Sequence, residues 1–528
     1  MNTVTRVAVL AVALALSVPA LADKAPAAGD QHDQSSGEQA FKPQQSNTAG
    51  SVTVEGQRID YQAIAGTLVL TPEDLGNEHP GKDAPTASMF YVYYAKKGGG
   101  DKRPITFLYN GGPGSATIWL HMGAFGPRRV VTADDTHTPA APYQVVNNDY
   151  SLLDASDLVF IDAPATGFSR VKGKDADKTF FGIDGDGKAF AAFITKFLST
   201  HGRWNSPKYL FGESYGTTRS AVLANLLGNE NGVDLNGIVL LSQILAFANS
   251  PDYPQADPSV DQGYVLALPT YAATAWYHDK LPNKPAQLEP FLQQVEAFAL
   301  GEYMQALSAG STLSADRKQA IAGKLHDYTG LPADYWMKAD LRVNGGQFEH
   351  ELLNDQDMTT GRLDTRFSGP SIDPLGEQAE YDPQASAISS AYIAAFNDYV
   401  RKTLDFGKEQ KYLPLGHLWR HWDFRHQPPG APFPLPGATN VMPDLAAAMK
   451  QNPTLKILLT GGYFDLATPF FEGVYEMHHL PIPDSLQKNI DYHYYESGHM
   501  VYAHQPSLKQ LHDDVAAFIA RTDNLAGK

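Results

Sequence analysis

The sequence predicts an α/β fold: a mostly parallel central sheet with helices on both faces, interrupted by a helical insertion. Three observations carry that expectation. Short apolar runs alternate with helix-length stretches on either side of residues 248–440. Those runs lack the in/out alternation of a half-exposed strand, as strands covered on both faces should. Between the two blocks lies a region of helical spacing, Pro- and Gly-rich loops and few strand signals,.

Taken in order, residues 1–22 read as a signal peptide. Arg6 precedes an apolar run, Val7 to Val18, too short to span a bilayer, and Ala20-Leu21-Ala22 offers a small-x-small cleavage site before Asp23,. Residues 23–50 are rich in Ala, Gln, Ser, Gly and Asp without apolar periodicity, and read as a disordered leader with structure starting near Val52,. The first part of the core, 51–247, carries strands at Met89–Tyr94, Ile105–Tyr109 and Asp157–Asp162. A helix from Asp186 to Ser199 follows, with Phe190, Phe193, Ile194 and Phe197 on one face,. Then come a strand at Tyr209–Phe211, a helix after Ser214 and a strand at Gly237–Leu241. The mainly helical insertion, 248–440, has helical stretches at Pro290–Leu307, Ser314–Leu325 and Ala385–Leu404. Open α/β sheets bind ligands at the carboxyl edge of their strands, so an insertion there shapes a pocket. The second part of the core, 441–528, adds strands at Leu455–Leu459 and Ile490–Tyr495 and a helix from Ser507 to Ala520.

Composition narrows the function classes. With 528 residues, 43% hydrophobic and 11% aromatic, the chain buries one large core or two ordinary ones,. A formal net charge of -17 disfavours nucleic acid, whose phosphates it would repel,. No basic amphipathic stretch and no second long apolar run suggest membrane association,. Cysteine is absent, and so is any Asn-x-Ser/Thr acceptor with x other than Pro. With the leader, these features point to export into a bacterial periplasm or the extracellular space. No metal or cofactor is expected. Asp184-Gly-Asp186-Gly187 opens like a calcium loop, but Thr195 stands where a bidentate Glu is needed,. Asn354 replaces the second His that would make His350-Glu351 a zinc motif,. Asp186 reads instead as a helix cap. Oligomeric state leaves no mark on the sequence.

The chemistry concentrates in a few loops. Gly212-Glu-Ser214-Tyr-Gly216 is a Gly-x-Ser-x-Gly pattern that follows an apolar strand and opens an apolar-periodic helix. That strand–turn–helix setting is the context the nucleophile elbow of an α/β-hydrolase fold requires. A tight turn with a buried serine is the plainer alternative. A serine hydroxyl needs a base, and the base an orienting carboxylate, in the chain order Ser, Asp or Glu, His. Asp465 lies just after the strand at Leu455–Leu459, and His499 just after the strand at Ile490–Tyr495. Oxyanion donors are expected at the backbone N–H of Tyr215 and, from Asn110-Gly-Gly-Pro-Gly114, of Gly112,.

At these residues the sequence resembles the serine carboxypeptidase family. The shared features are Asn110-Gly-Gly-Pro-Gly114, Phe160-Ile-Asp-Ala-Pro164 with Gly167-Phe-Ser169, Phe211-Gly-Glu-Ser-Tyr-Gly216, Gly462-Tyr-Phe-Asp465 and Gly498-His-Met500. They cover roughly residues 85–245 and 440–520. The resemblance implies an enzyme that removes residues from the carboxyl end of peptides, with Ser214, Asp465 and His499 as triad. It also implies that Asn110 and Glu213 bind the terminal carboxylate of the substrate. Two carboxyl groups can pair only if one is protonated, so Glu213 is expected to have a raised pKa. The family's second glutamate before Gly126-Pro127 is missing, with Ala124 and Phe125 there, and Arg128 or its neighbour Arg129 is expected to clamp the carboxylate instead,. Ser115 stands where the family commonly has a cysteine. An esterase or acyltransferase on the same scaffold is the alternative, and a catalytically dead binding protein a third reading.

Overall fold

The computed structural model describes residues 41–525, so the expected signal peptide and the leader as far as residue 40 lie outside the described residues. In chain order the strands are β1 (Gln45–Val54), β2 (Gln57–Leu70), β3 (Thr86–Lys96), β4 (Ile105–Tyr109), β5 (Arg128–Val130), β6 (Val145–Asn147), β7 (Asp157–Ile161) and β8 (Arg170–Lys172). They continue with β9 (Lys208–Glu213), β10 (Gly237–Leu241), β11 (Met358–Thr360), β12 (Ser368–Pro370), β13 (Lys456–Gly462) and β14 (Ile490–Tyr495).

Ten strands form one sheet in the order β1-β2-β3-β7-β4-β9-β10-β13-β14, with β8 beside β3. From β7 to β14 every neighbouring pair is parallel, while β1, β2 and β3 form an antiparallel meander joined antiparallel to β7. This is the α/β-hydrolase fold. Residues of β4, β7, β9 and β10 are buried throughout, which explains why the sequence shows them as mainly apolar runs without in/out alternation,.

Helices cover both faces. Ile183–His201, Tyr215–Asn231 and Met442–Gln451 pack on one side, through Phe190, Phe193, Leu223 and Leu445. On the other side lie Gln505–Thr522, Pro383–Lys402 and the turn Leu120–Phe125, through Leu511, Phe518, Phe396 and Phe125. Helices Gln262–Tyr277, Leu288–Phe298 and Ala315–Thr329 bury a third apolar cluster. That cluster includes Phe464, Leu466, Phe470 and Phe471, so the insertion is packed against the loop after β13.

Two expectations need correction. Order begins ahead of Val52: β1 starts at Gln45, inside the stretch read as leader. It is an edge strand whose first half alternates between exposed and half-buried polar residues, so it carries no apolar signal,. Asp186 does not cap a helix either. The helix begins at Ile183, and Asp186 is buried in an ion pair with Arg219. Helix Gln262–Tyr277 went unread because Gly263 to Ala275 is buried on all sides, which erases the 3.6-residue period, and Pro269 sits inside it,.

Candidate active site

The parallel strands end on one edge, and their following loops carry the chemistry. Register places Tyr109 beside Gly212, Leu241 beside Glu213 and Thr460, and Gly462 beside Tyr495. The loops after β4, β9, β10, β13 and β14 therefore open side by side.

Ser214 is the junction between β9 and helix Tyr215–Asn231, at φ 61° and ψ -130°. A non-glycine residue there stores strain, of order 1–3 kcal/mol, and the surroundings must impose it. They do so from several sides. The Ser214 N–H donates to the Leu241 carbonyl (3.0 Å), and Thr217 donates to the Ser214 carbonyl from its backbone N–H (2.8 Å) and hydroxyl (2.7 Å). A Cβ on Gly216 would come within 2.9 Å of the Tyr109 carbonyl oxygen, so the turn packs tightly on β4. Ser214 itself is half-buried.

Asp465 and His499 meet directly. Nδ1 of His499 donates to Oδ2 of Asp465 at 2.8 Å, and both residues are buried. Asp465 also accepts from the N–H groups of Ala467 (2.9 Å) and Thr468 (3.0 Å) and from the Thr468 hydroxyl (2.8 Å). Burial opposes charge on His499. Asp465 outweighs it and holds the imidazole pKa above its ordinary value,. The His499 carbonyl accepts from Ser242 Oγ (2.7 Å), next to the residue that anchors the Ser214 N–H. The histidine loop and the serine turn are thus tied to the same end of β10.

The N–H of Gly112, at φ 109°, and that of Tyr215, in the first helical turn, have no hydrogen-bond acceptor among the described residues. The loop that carries Gly112 is held by Arg219. Its guanidinium donates to the Asn110 carbonyl (2.8 Å) while paired with Asp186 (2.6 Å), both side chains fully buried.

Glu213 lies beneath this group. It is buried and accepts from the Tyr502 hydroxyl (2.8 Å), with Asn110 also in hydrogen-bonding reach. Burial pushes its carboxyl up to about 7, opposed by the nearby His499 and these two bonds. Asn110 in turn accepts from the Leu120 N–H (3.1 Å). Tyr502 and Tyr392, which share the electrostatic neighbourhood of Glu213, carried no motif in the sequence.

The two arginines diverge. Arg128 reaches the Ser51 carbonyl (3.5 Å) and lies near Tyr61, Tyr94 and Tyr399. The adjacent Arg129 has no ion pair among the described residues, and its Nε is buried without a partner. It lies near Tyr392, which also neighbours Glu213. Among the described residues no cluster of His, Asp and Glu is arranged to hold a metal ion.

Comparison with known proteins bears on the same residues. A family model described as serine carboxypeptidase matches residues 80–250. That segment contains Asn110, Gly112, Glu213, Ser214 and Tyr215; Asp465 and His499 fall outside it. Among solved structures, the prohormone-processing carboxypeptidase Kex1 of Saccharomyces cerevisiae aligns over 87% of this chain and 91% of its own, at 16% identity and a TM-score of 0.53. The peroxisomal α/β-hydrolase Lpx1 of the same yeast aligns over 92% of each chain at 10% identity and a TM-score of 0.33. No curated protein matches the chain.

Proposed function

We propose that this chain, whose residues 80–250 match a family model described as serine carboxypeptidase, releases carboxyl-terminal residues from peptides through an acyl-enzyme on Ser214. His499 takes the Ser214 proton as the hydroxyl attacks the scissile carbonyl, and Asp465 stabilises the resulting imidazolium. The tetrahedral oxyanion is received by the N–H groups of Gly112 and Tyr215, fixed before the charge develops. His499 returns the proton to the leaving amine, and water then releases the acyl group by the same steps in reverse.

The observation that carries the choice of substrate is Glu213. A buried carboxyl next to the nucleophile, with its pKa pushed up to about 7, is protonated in weak acid and can donate to a peptide's terminal carboxylate,. Asn110 adds an amide donor. A cation beside them would complete the clamp expected at Arg128. The unpaired guanidinium of Arg129 and its nearness to Tyr392 favour the second arginine of the pair. The leader read from the sequence and the lack of cysteine favour an exported enzyme. Among the described residues no helix is long and apolar enough to cross a membrane.

The test compares a blocked dipeptide with a free carboxyl end, the same dipeptide as its amide, and a simple ester. Preferential cleavage of the free acid is expected. Turnover of the ester alone would replace this reading with an esterase or acyltransferase.

A further inference from the structure

One segment of the insertion, Arg362 to Arg366, touches both loops that carry the proposed acid and base. The Leu466 N–H donates to the Arg362 carbonyl (3.1 Å), and the Thr365 N–H donates to the Phe464 carbonyl (2.9 Å). These bonds bracket Asp465. The His499 N–H donates to the Leu363 carbonyl (2.6 Å), and the Gly498 N–H donates to Oδ2 of Asp364 (3.2 Å). These two fix the base. Gly498 passes so close to Asp364 that a Cβ there would run into the aspartate side chain.

The segment is itself immobilised from four directions. Arg366 makes a two-pronged pair with Asp364 (3.0 and 2.7 Å) and reaches Asp134 (3.2 Å). Arg362 does the same with Asp252 (3.2 and 2.5 Å). Asp382, the cap of helix Pro383–Lys402, accepts from the Leu363 N–H (2.9 Å). His278, just past helix Gln262–Tyr277, bonds the Thr365 carbonyl (2.7 Å). Asp364 and the Arg366 guanidinium are almost fully buried, so little water competes for these bonds,.

We propose that Asp364 is a positioning residue for the base, and that segment Arg362–Arg366 sets the separation of Asp465 and His499. The inference rests on the triad reading above. Its physical basis is that strands β13 and β14 fix only where the two loops start. Fixing where the side chains meet takes a third body in contact with both. The insertion supplies that body, so its displacement is transmitted to the acid–base pair.

The test is a series at Asp364, measured on the ester so that carboxylate binding plays no part. Asp364→Asn keeps an oxygen for the Gly498 N–H but loses its charge toward Arg366; Asp364→Ala loses both. The expected result is a kcat that falls in the order wild type, Asn, Ala, with a loss on the order of 10- to 100-fold for Ala and KM nearly unchanged. The acid limb of the kcat profile should also move to lower pH, because a His499 less firmly held by Asp465 loses the interaction that raises its pKa,. The charged groups facing His499 are Asp465, Glu213 and Arg362; those facing Asp364 are Arg366, His278 and His504. Glu213→Gln run in parallel shows whether Glu213 moves that limb. A role confined to stability would lower the melting temperature without moving the limb. Gly498→Ala presses on the same contact from the other side and should give the same limb shift if Asp364→Ala does not fold. Folded variants with wild-type kcat and limb would overturn the proposal. Fluorophosphonate labelling of the wild type separates the two failures: without it the triad reading falls, and the positioning role falls with it.

Discussion

At Ser214 a strained backbone, a helix amino end and two unoccupied N–H donors coincide. If that coincidence is catalytic, Ser214→Ala should lower kcat by about 10^6-fold, leave the melting temperature within a degree or two, and abolish fluorophosphonate labelling. Glu213 gives a pH signature with a definite sign. Its neutral form is the one that donates to a substrate carboxylate, and burial pushes its pKa up to about 7. Peptide KM should therefore be low below that value and rise as pH climbs through it, while ester KM stays flat. Glu213→Gln should remove the alkaline rise, because an amide donates at every pH; a profile unchanged by that substitution would remove Glu213 from carboxylate binding. For the arginines, Arg129→Gln is expected to raise peptide KM about tenfold, the size of one charge-assisted hydrogen bond, with ester KM unaffected. Arg128→Gln, with Ser51 and a group of tyrosines as neighbours, should change it less.

At the scale of elements, the turn from β9 into helix Tyr215–Asn231 depends on a partner far away in sequence. Arg219 in that helix pairs with Asp186 in helix Ile183–His201 and holds the Asn110 carbonyl. One buried ion pair thus fixes two helices and the Gly112 loop relative to one another. Removing one member leaves an uncompensated buried charge, so Asp186→Asn should cost about 3–5 kcal/mol in denaturant unfolding. The sequence marked Asp186 only as a helix cap, because charge pairing between helices leaves no periodic trace. It did reveal the apolar strands, whose burial on both faces is written into their composition.

Across the whole molecule, the insertion is joined to the sheet at several points, and one of them titrates. His426 lies between Asp184 (2.5 Å) and Asp444 (2.7 Å), linking the last loop of the insertion to two helices of the sheet layer. Burial opposes its charge, but the two carboxylates outweigh that and push its pKa up to about 9. A pKa raised in the folded state means stability fully present below the ordinary value near 6.5 and lost as pH rises through about 9,. The urea midpoint should decline over that window, and His426→Gln should flatten the decline. A midpoint that holds steady from pH 6 to 10 in the wild type would count against the tie.

What the sequence by itself determined is local: which runs are strands covered on both sides, where a strand turns sharply into a helix, and which Asp and His follow late strands. Each follows from side-chain burial or backbone freedom within a few residues. The tertiary structure alone decided what depends on distant parts of the chain. It ordered the polar edge strand β1, buried helix Gln262–Tyr277 on all sides, set Arg129 near Tyr392, and brought residues 362–366 against the loops of both Asp465 and His499. Each outcome rests on pairing or packing between elements, from the β1–β2 hairpin to bonds about a hundred residues apart, and no pattern within a single element encodes its partner.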